Sequence, residues 1–222
     1  MRKLISLVGF ILILTGVVLI AYTLRLTADV EEVVEESNNK AVSCYLDGGC
    51  SDVTYGEKEV KNLIGNLEVP EESKDLSQVS VTEDMIGVFY ADKIDLVEPI
   101  YRGATFNNLA RGVATVEDYN NFSDQNVSIA GHRVEGPDIR FNRIGELEEG
   151  DAIQIGVVNS KGEQELKEYK VSDKYLVSQY AVEEMEQSPG DSQELTLITC
   201  EGYDQLTNTW EERLIIKAEI VE

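Results

Sequence analysis

Histidine and tryptophan occur once each in these 222 residues, cysteine three times and proline four times. Basic residues are also scarce: 19 lysines and arginines against 42 acidic residues leave a formal charge of −23. That balance excludes binding of nucleic acid through its phosphates, which needs clustered positive charge. It fits an acidic surface that keeps the chain soluble, in a salty medium or beside a polyanionic wall. Long apolar runs are lacking too, with one exception, and no internal repeat is present. The exception is the opening, "MRKLISLVGFILILTGVVLIAYTLRL", uncharged from Leu4 to Leu24.

A helix of that length spans a bilayer core. Arg2 and Lys3 precede it and Arg25 follows. The basic pair at the short end places the N-terminus in the cytoplasm and everything after Arg25 outside. No A-x-A-like site closes the run, which favours a retained anchor over a cleaved signal peptide. Residues 1–26 therefore read as a cytoplasmic stub and transmembrane anchor.

Residues 27–77 read as an acidic extracellular tether. "DVEEVVEESNNK" begins as a short helix with Val30, Val33 and Val34 on one side, and "EVPEESKDLSQ" is too polar to build a core. Within the tether, "CYLDGGC" sets Cys44 and Cys50 in a glycine-containing loop. Outside the membrane a disulfide is permitted there; two idle thiols are the other reading. With no histidine or further cysteine nearby, a metal site is not expected.

From about Val79 the pattern becomes short strands divided by turns such as "NSKG" and "SPGDS". "MIGVFYADKIDLVEPIY" supplies two strands. "NVSIAG", "DAIQIGVV", "QELKEYKV", "ELTLIT" and "RLIIKAEIV" supply more, and "FNNLARGVATVEDY" is the one helical insert. Many strands and few helices predict an all-β barrel or sandwich over residues 78–222.

Strand alternation then sorts the reactive side chains. Val127 and Ile129 share one face of "NVSIAGH", with Ser128, Ala130 and His132 opposite. Leu195 and Leu197 share one face of "LTLITC", with Thr196, Ile198 and Cys200 opposite. In "RLIIKAEIV", Leu214, Ile216, Ala218 and Ile220 form the core face, so Arg213 points away. Cys200, His132 and Arg213 thus all face outward, and a groove on the outer wall of a barrel would unite them. A cysteine attacks as thiolate and needs a cationic or basic neighbour. An imidazole can fill that role and later protonate a leaving amine. A guanidinium can hold a carbonyl or stabilise an oxyanion. Each has a blander alternative: a buried small side chain, a structural histidine, and an arginine paired with Glu211 or Glu212.

"TLITC" resembles the TLxTC signature of sortases, the membrane-anchored cysteine transpeptidases of Gram-positive bacteria. "DQNVSIAGH" is similar to their histidine motif, and Arg213, thirteen residues after Cys200 (213 − 200), stands where theirs does. "ATFNNLARGV" and "LTLITCEGYDQLTNTWEERLIIKAEIV" are most similar to class A, the housekeeping type. The resemblance runs from about Met85 to the C-terminus and implies an eight-stranded β-barrel with short helices and an outer active-site groove. It implies that Cys200 attacks the Thr–Gly bond of an LPXTG-type sorting signal to give a thioacyl enzyme. His132 would be acid and base, and Arg213 would position substrate and stabilise the oxyanion. Ala104, Ala130, Ile198, Thr199 and Trp210 match residues of the family's groove, although parity turns Thr199 inward.

The implied partners are LPXTG-type surface proteins, an amine of lipid II or peptidoglycan as acceptor, and the membrane through the N-terminal helix. No cofactor is required by this chemistry. Some class A sortases bind calcium; Glu117 and Asp124 match two ligand positions, but Asn120 and Gln187 replace carboxylates at two others. Calcium prefers charged oxygen ligands, so the site is weakened. The alternatives are a pilin-polymerising sortase, disfavoured by the missing second apolar run, and a membrane-tethered β-domain that binds peptide without chemistry.

Overall fold

The computed structural model describes residues 2–47, 80–117, 122–123, 125–133, 138–159, 161–185, 192–204 and 209–221. Eight strands form a closed barrel: β1 (Met85–Ala91), β2 (Leu96–Tyr101), β3 (Val113–Thr115), β4 (Asn126–Ala130), β5 (Ala152–Val158), β6 (Gln164–Ser178), β7 (Glu194–Asp204) and β8 (Thr209–Ile220). Around the barrel they run β1-β2-β3-β4-β7-β8-β6-β5. The β2–β3 and β4–β7 pairs are parallel and the others antiparallel.

The inward face is the one that alternation selected. Val127, Ile129, Leu195, Leu197, Leu214, Ile216 and Ala218 are all in the core, with Ile220 packed against it. Phe89 and Phe141 meet edge to face inside it, with ring centroids 5.4 Å apart. Such pairs add about 0.5–1.5 kcal/mol beyond their area burial.

Several elements differ from the sequence reading. The helical insert holds only the short helix α2 (Phe106–Arg111), after which "VAT" becomes β3. Thr105 caps α2 by accepting a hydrogen bond from the Asn108 backbone N–H at 3.2 Å. β6, β7 and β8 are all longer than expected, and β8 takes in Trp210, ahead of "RLIIKAEIV".

The largest difference is α1 (Arg2–Asp47), one helix of 46 residues. No proline interrupts it, and two glycines follow it in the sequence, where a helix readily stops. Its first half is long and apolar enough to cross a membrane. There the hydroxyls of Thr15, Thr23 and Thr27 donate to the carbonyls of Leu12, Ile20 and Leu24, which satisfies them without water.

Its second half is not a loose tether. Val34, Ser37, Asn38, Ala41 and Cys44 are buried, at helical spacing, and the apolar ones pack against Val81, Met85, Val88, Tyr101 and Ile139. The Tyr45 hydroxyl donates to the Ile86 carbonyl at 2.8 Å and accepts from the Val158 N–H at 3.1 Å. Cys44 lies on this helix rather than in a loop and is disulfide-bonded, while Cys200 is a free thiol. Cys50 and residues 48–79 of the expected tether lie outside the described residues.

Beneath the helix, Arg140 and Glu98 form an ion pair at 2.6 Å with both side chains at most 2% exposed. Removing one partner would strand the other charge, at about 3–5 kcal/mol.

Candidate active site

The groove forms where two parallel strands part. β4 and β7 stay paired up to Ala130 and Ile198, and the Gly131 N–H still donates to the Ile198 carbonyl at 3.0 Å. Beyond that point the β4 chain leaves for the His132 loop, while β7 continues along β8 to Asp204. Cys200 therefore sits mid-strand, with a sheet neighbour on one side and an open edge on the other. Its register partner on β8 is Arg213. Directly opposed residues have Cβ atoms about 4.5–5.5 Å apart, so thiol and guanidinium are neighbours by construction. Ala130 and Ile198 form the adjoining floor, with Ile215 across from Ile198.

His132 is half-buried, and its Nε2 is buried without a hydrogen-bond partner among the described residues. A buried nitrogen left so is costly. Burial, and secondarily the positive charge of Arg140, push the imidazole below its ordinary pKa. Burial pushes the Cys200 thiol up, against the opposing pull of Arg213 and Arg133. Both shifts run toward the uncharged forms, thiol and neutral imidazole.

Arg213 donates to the backbone carbonyl of Glu212 at 2.9 Å. That bond anchors one arm of its fork on the backbone of β8, between β7 and β6. Arg133 and Glu201 were not singled out by sequence. They form an ion pair joining the residue after His132 to the residue after Cys200. Their only sequence signal is that each flanks a candidate catalytic residue.

The remaining expected groove residues divide. Thr199 is buried on the inner side, as parity required, and its hydroxyl donates to the Gly131 carbonyl at 2.9 Å. It fastens β7 to the start of the histidine loop. Ala104 is exposed, just before the cap of α2. Trp210 lies three residues before Arg213 on the same strand, so alternation turns it to the other side, where its ring pairs with Tyr203 at 5.0 Å. Cys200, His132, Arg213, Ala130 and Ile198 are thus gathered at the parting of β4 and β7; Thr199 and Trp210 are not on that face.

Of the calcium positions, Glu117 is exposed, and Asn120, Asp124 and Gln187 lie outside the described residues. Among the described residues no group of three or more histidine, cysteine or acidic side chains stands together as a metal site. Glu184, near Gln187 in the chain, already accepts from the Tyr175 hydroxyl, and its carbonyl accepts from Lys217 Nζ at 3.1 Å. Glu184 is thus already engaged by a phenol and an ammonium.

A family model described as the sortase domain matches residues 89–221. The chain is 33% identical to Sortase A of Staphylococcus aureus over 151 residues, 67% of this chain and 68% of that protein. Sortase D of Bacillus subtilis is 28% identical over 124 residues, 55% of this chain and 57% of that one. The structure of Listeria monocytogenes sortase A superposes with a TM-score of 0.55 at 20% identity, covering 63% of this chain and 88% of that chain. The matched region holds β2 to β8 and every residue gathered in the groove, and on that match the chain belongs to the sortase family.

Proposed function

We propose that the chain is a class A, housekeeping-type cysteine transpeptidase, held in the membrane by α1 with its N-terminus cytoplasmic and its barrel outside. It would cleave an LPXTG-type sorting signal between Thr and Gly and pass the protein to an amine of the cell-wall precursor. The observation that carries this reading is the Cys200–Arg213 register pair beside the buried His132 Nε2. The basic pair Arg2 and Lys3 supports the orientation.

The chemistry then follows from the groove. The Cys200 thiolate adds to the threonine carbonyl carbon, and the electron pair moves to oxygen. Arg213, always charged, meets that oxyanion. As the tetrahedral centre collapses, the C–N bond breaks and the imidazolium of His132 gives its proton to the departing glycine nitrogen. A thioester remains. His132, now neutral, accepts a proton from the incoming amine, whose nitrogen adds to the thioester carbonyl. Collapse expels the Cys200 thiolate and closes the new amide bond.

Incubating the full-length protein with a panel of sorting peptides and amines, followed by mass spectrometry, tests this reading. The expected result is a thioacyl adduct on Cys200 and an amide product cut between Thr and Gly. Cys200→Ala should give neither while remaining folded. Cleavage by a folded Cys200→Ala protein would refute the nucleophile assignment. Absence of any adduct with the whole panel would favour a peptide-binding domain without chemistry.

A further inference from the structure

The docked half of α1 touches the loop that carries His132. Arg140, in that loop, is 2% exposed and has a backbone φ of +54°. Non-glycine residues rarely hold that conformation unless their surroundings impose it. Here the surroundings are specific. The Arg140 N–H donates to Glu98 Oε1 at 2.8 Å and its Nη1 to Glu98 Oε2 at 2.6 Å. Its Nη2 donates to the Ala110 carbonyl at 2.8 Å, and its Nη1 also reaches Asn38 Oδ1 on α1 at 3.2 Å.

The next residue carries this constraint to the histidine. The Phe141 N–H donates to the His132 carbonyl at 3.2 Å, and the Phe141 ring presses on Gly131. Asn38 is itself fixed, because its Nδ2 donates to the Val97 carbonyl at 3.1 Å. A second tie runs from the Asp138 N–H to Glu31 Oε1 on α1 at 2.9 Å. Between these ties the helix and barrel do not close fully: a cavity of about 320 Å³ lies along the seam, lined by residues that include Glu31, Asn38, Glu98 and Arg143. The helix is therefore held beside the loop by individual polar contacts as well as by its apolar stripe.

We propose that Asn38 is a positioning residue for His132, acting through Arg140 and Glu98, so that the docked half of α1 sets the histidine loop. The proposal rests on the role given to His132 above. The ionisable groups on the described elements around His132 are Cys200 and Glu201 on β7, Arg213 on β8, Glu98 on β2, Glu31 on α1, and Arg133, Asp138 and Arg140 on its own loop. Of these, the Arg140 charge depresses the imidazole, after burial. Loosening the loop admits water and lets that charge move, and both changes raise the imidazole pKa toward its ordinary value.

His132 is the chain's sole histidine, so its imidazole resonance in an untagged protein is unambiguous. The test is an NMR titration of that resonance in full-length wild type and Asn38→Leu, held in detergent micelles or nanodiscs. The expected result is a higher imidazole pKa in Asn38→Leu, and a kcat lower by roughly tenfold to 100-fold with KM little changed. An unmoved titration in a folded Asn38→Leu protein would overturn the proposal. If Asn38→Leu does not fold, Asn38→Ala removes the amide without adding bulk, and an unmoved imidazole there overturns it equally. Because the titration needs no substrate, it is independent of whether the sorting-signal chemistry is right. A shifted pKa in a protein inactive on every peptide supports the positioning role and counts against the proposed reaction.

Discussion

Gly131 separates the last residue of β4 from His132, and adding one methyl group there should disable the site. A Cβ on Gly131 would lie 2.5 Å from Phe141 Cγ, 2.6 Å from Cδ2 and 3.0 Å from Cβ. Carbon atoms in contact sit at about 3.5–4.0 Å, so the shortfall is near 1 Å. The backbone of Gly131 cannot simply retreat. Its N–H is bonded to the Ile198 carbonyl, and its own carbonyl accepts from Thr199 Oγ1. Phe141 has little freedom either, being fully buried against Phe89.

The strain must therefore pass to the histidine loop, whose Phe141 N–H is bonded to the His132 carbonyl. Overpacking of this kind costs about 1–3 kcal/mol, and two contacts under 3.0 Å put Gly131→Ala at the upper end. A 1 Å displacement of a catalytic group costs roughly 100-fold in rate, so kcat should fall by about that factor. Urea unfolding and steady-state kinetics on Gly131→Ala, Phe141→Ala (which removes the clashing Cγ and Cδ2) and the double variant measure both effects. If the clash is the cause, the double variant will be less damaged than the sum of the singles, by about 1 kcal/mol or more. A Gly131→Ala protein within about 0.5 kcal/mol of wild type and with unaltered kcat would refute the reasoning.

Three other outcomes follow from the same geometry. The proposed reaction needs a Cys200 thiolate and a His132 imidazolium, yet the thiol is pushed up and the imidazole down. kcat/KM should trace a bell with its acid limb below the ordinary imidazole value and its alkaline limb above the ordinary thiol value; Arg133→Gln, which removes a charge favouring thiolate, should move the alkaline limb of iodoacetamide alkylation higher still. Arg213→Lys should lose roughly 10²–10³ in rate, since an ammonium cannot offer two parallel donors, and near-wild-type kinetics would mean that only its charge matters. Millimolar calcium or a chelator should leave kcat/KM within about twofold, because Asn120 and Gln187 stand where charged oxygen ligands would be needed; a large activation by calcium would refute this.

The barrel core and the outward placement of Cys200 and Arg213 were legible because both rest on alternation, a local property of each strand. Val127, Ile129, Leu195, Leu197, Leu214 and Ile216 declared the inside, and Cys200 and Arg213 were placed outside by the same count. β3 escaped because three residues are too few to show a period, and a helix precedes them directly. Arg140, Arg133 and Glu201 escaped for a different reason. Their roles come from partners 30 to 102 residues away in sequence, and no local pattern encodes a partner. Trp210 escaped as a strand residue because its neighbours are polar, although its ring has a cross-strand partner in Tyr203.

The same limit explains why α1 was read as an anchor followed by a tether. Its docked face mixes Val34, Ala41 and Cys44 with Ser37 and Asn38, and polar members on an apolar stripe erase the helical period. Asn38 is tolerated in that interface because Arg140 and Val97 meet both ends of its amide. The consequence reaches beyond packing. With no proline or glycine between Gly16 and Asp47, the membrane half and the docked half form one continuous rod. From Leu24, the end of the uncharged run, to Val30, the first residue packed against the barrel cluster, the helix rises about 9 Å. With the first half in a bilayer, the barrel is held against the membrane surface instead of ranging at the end of a flexible arm. In the proposed reaction, an acceptor amine carried on a lipid would be met in that same layer, so a rigid, docked α1 would bring the groove and the second substrate together at little cost in entropy.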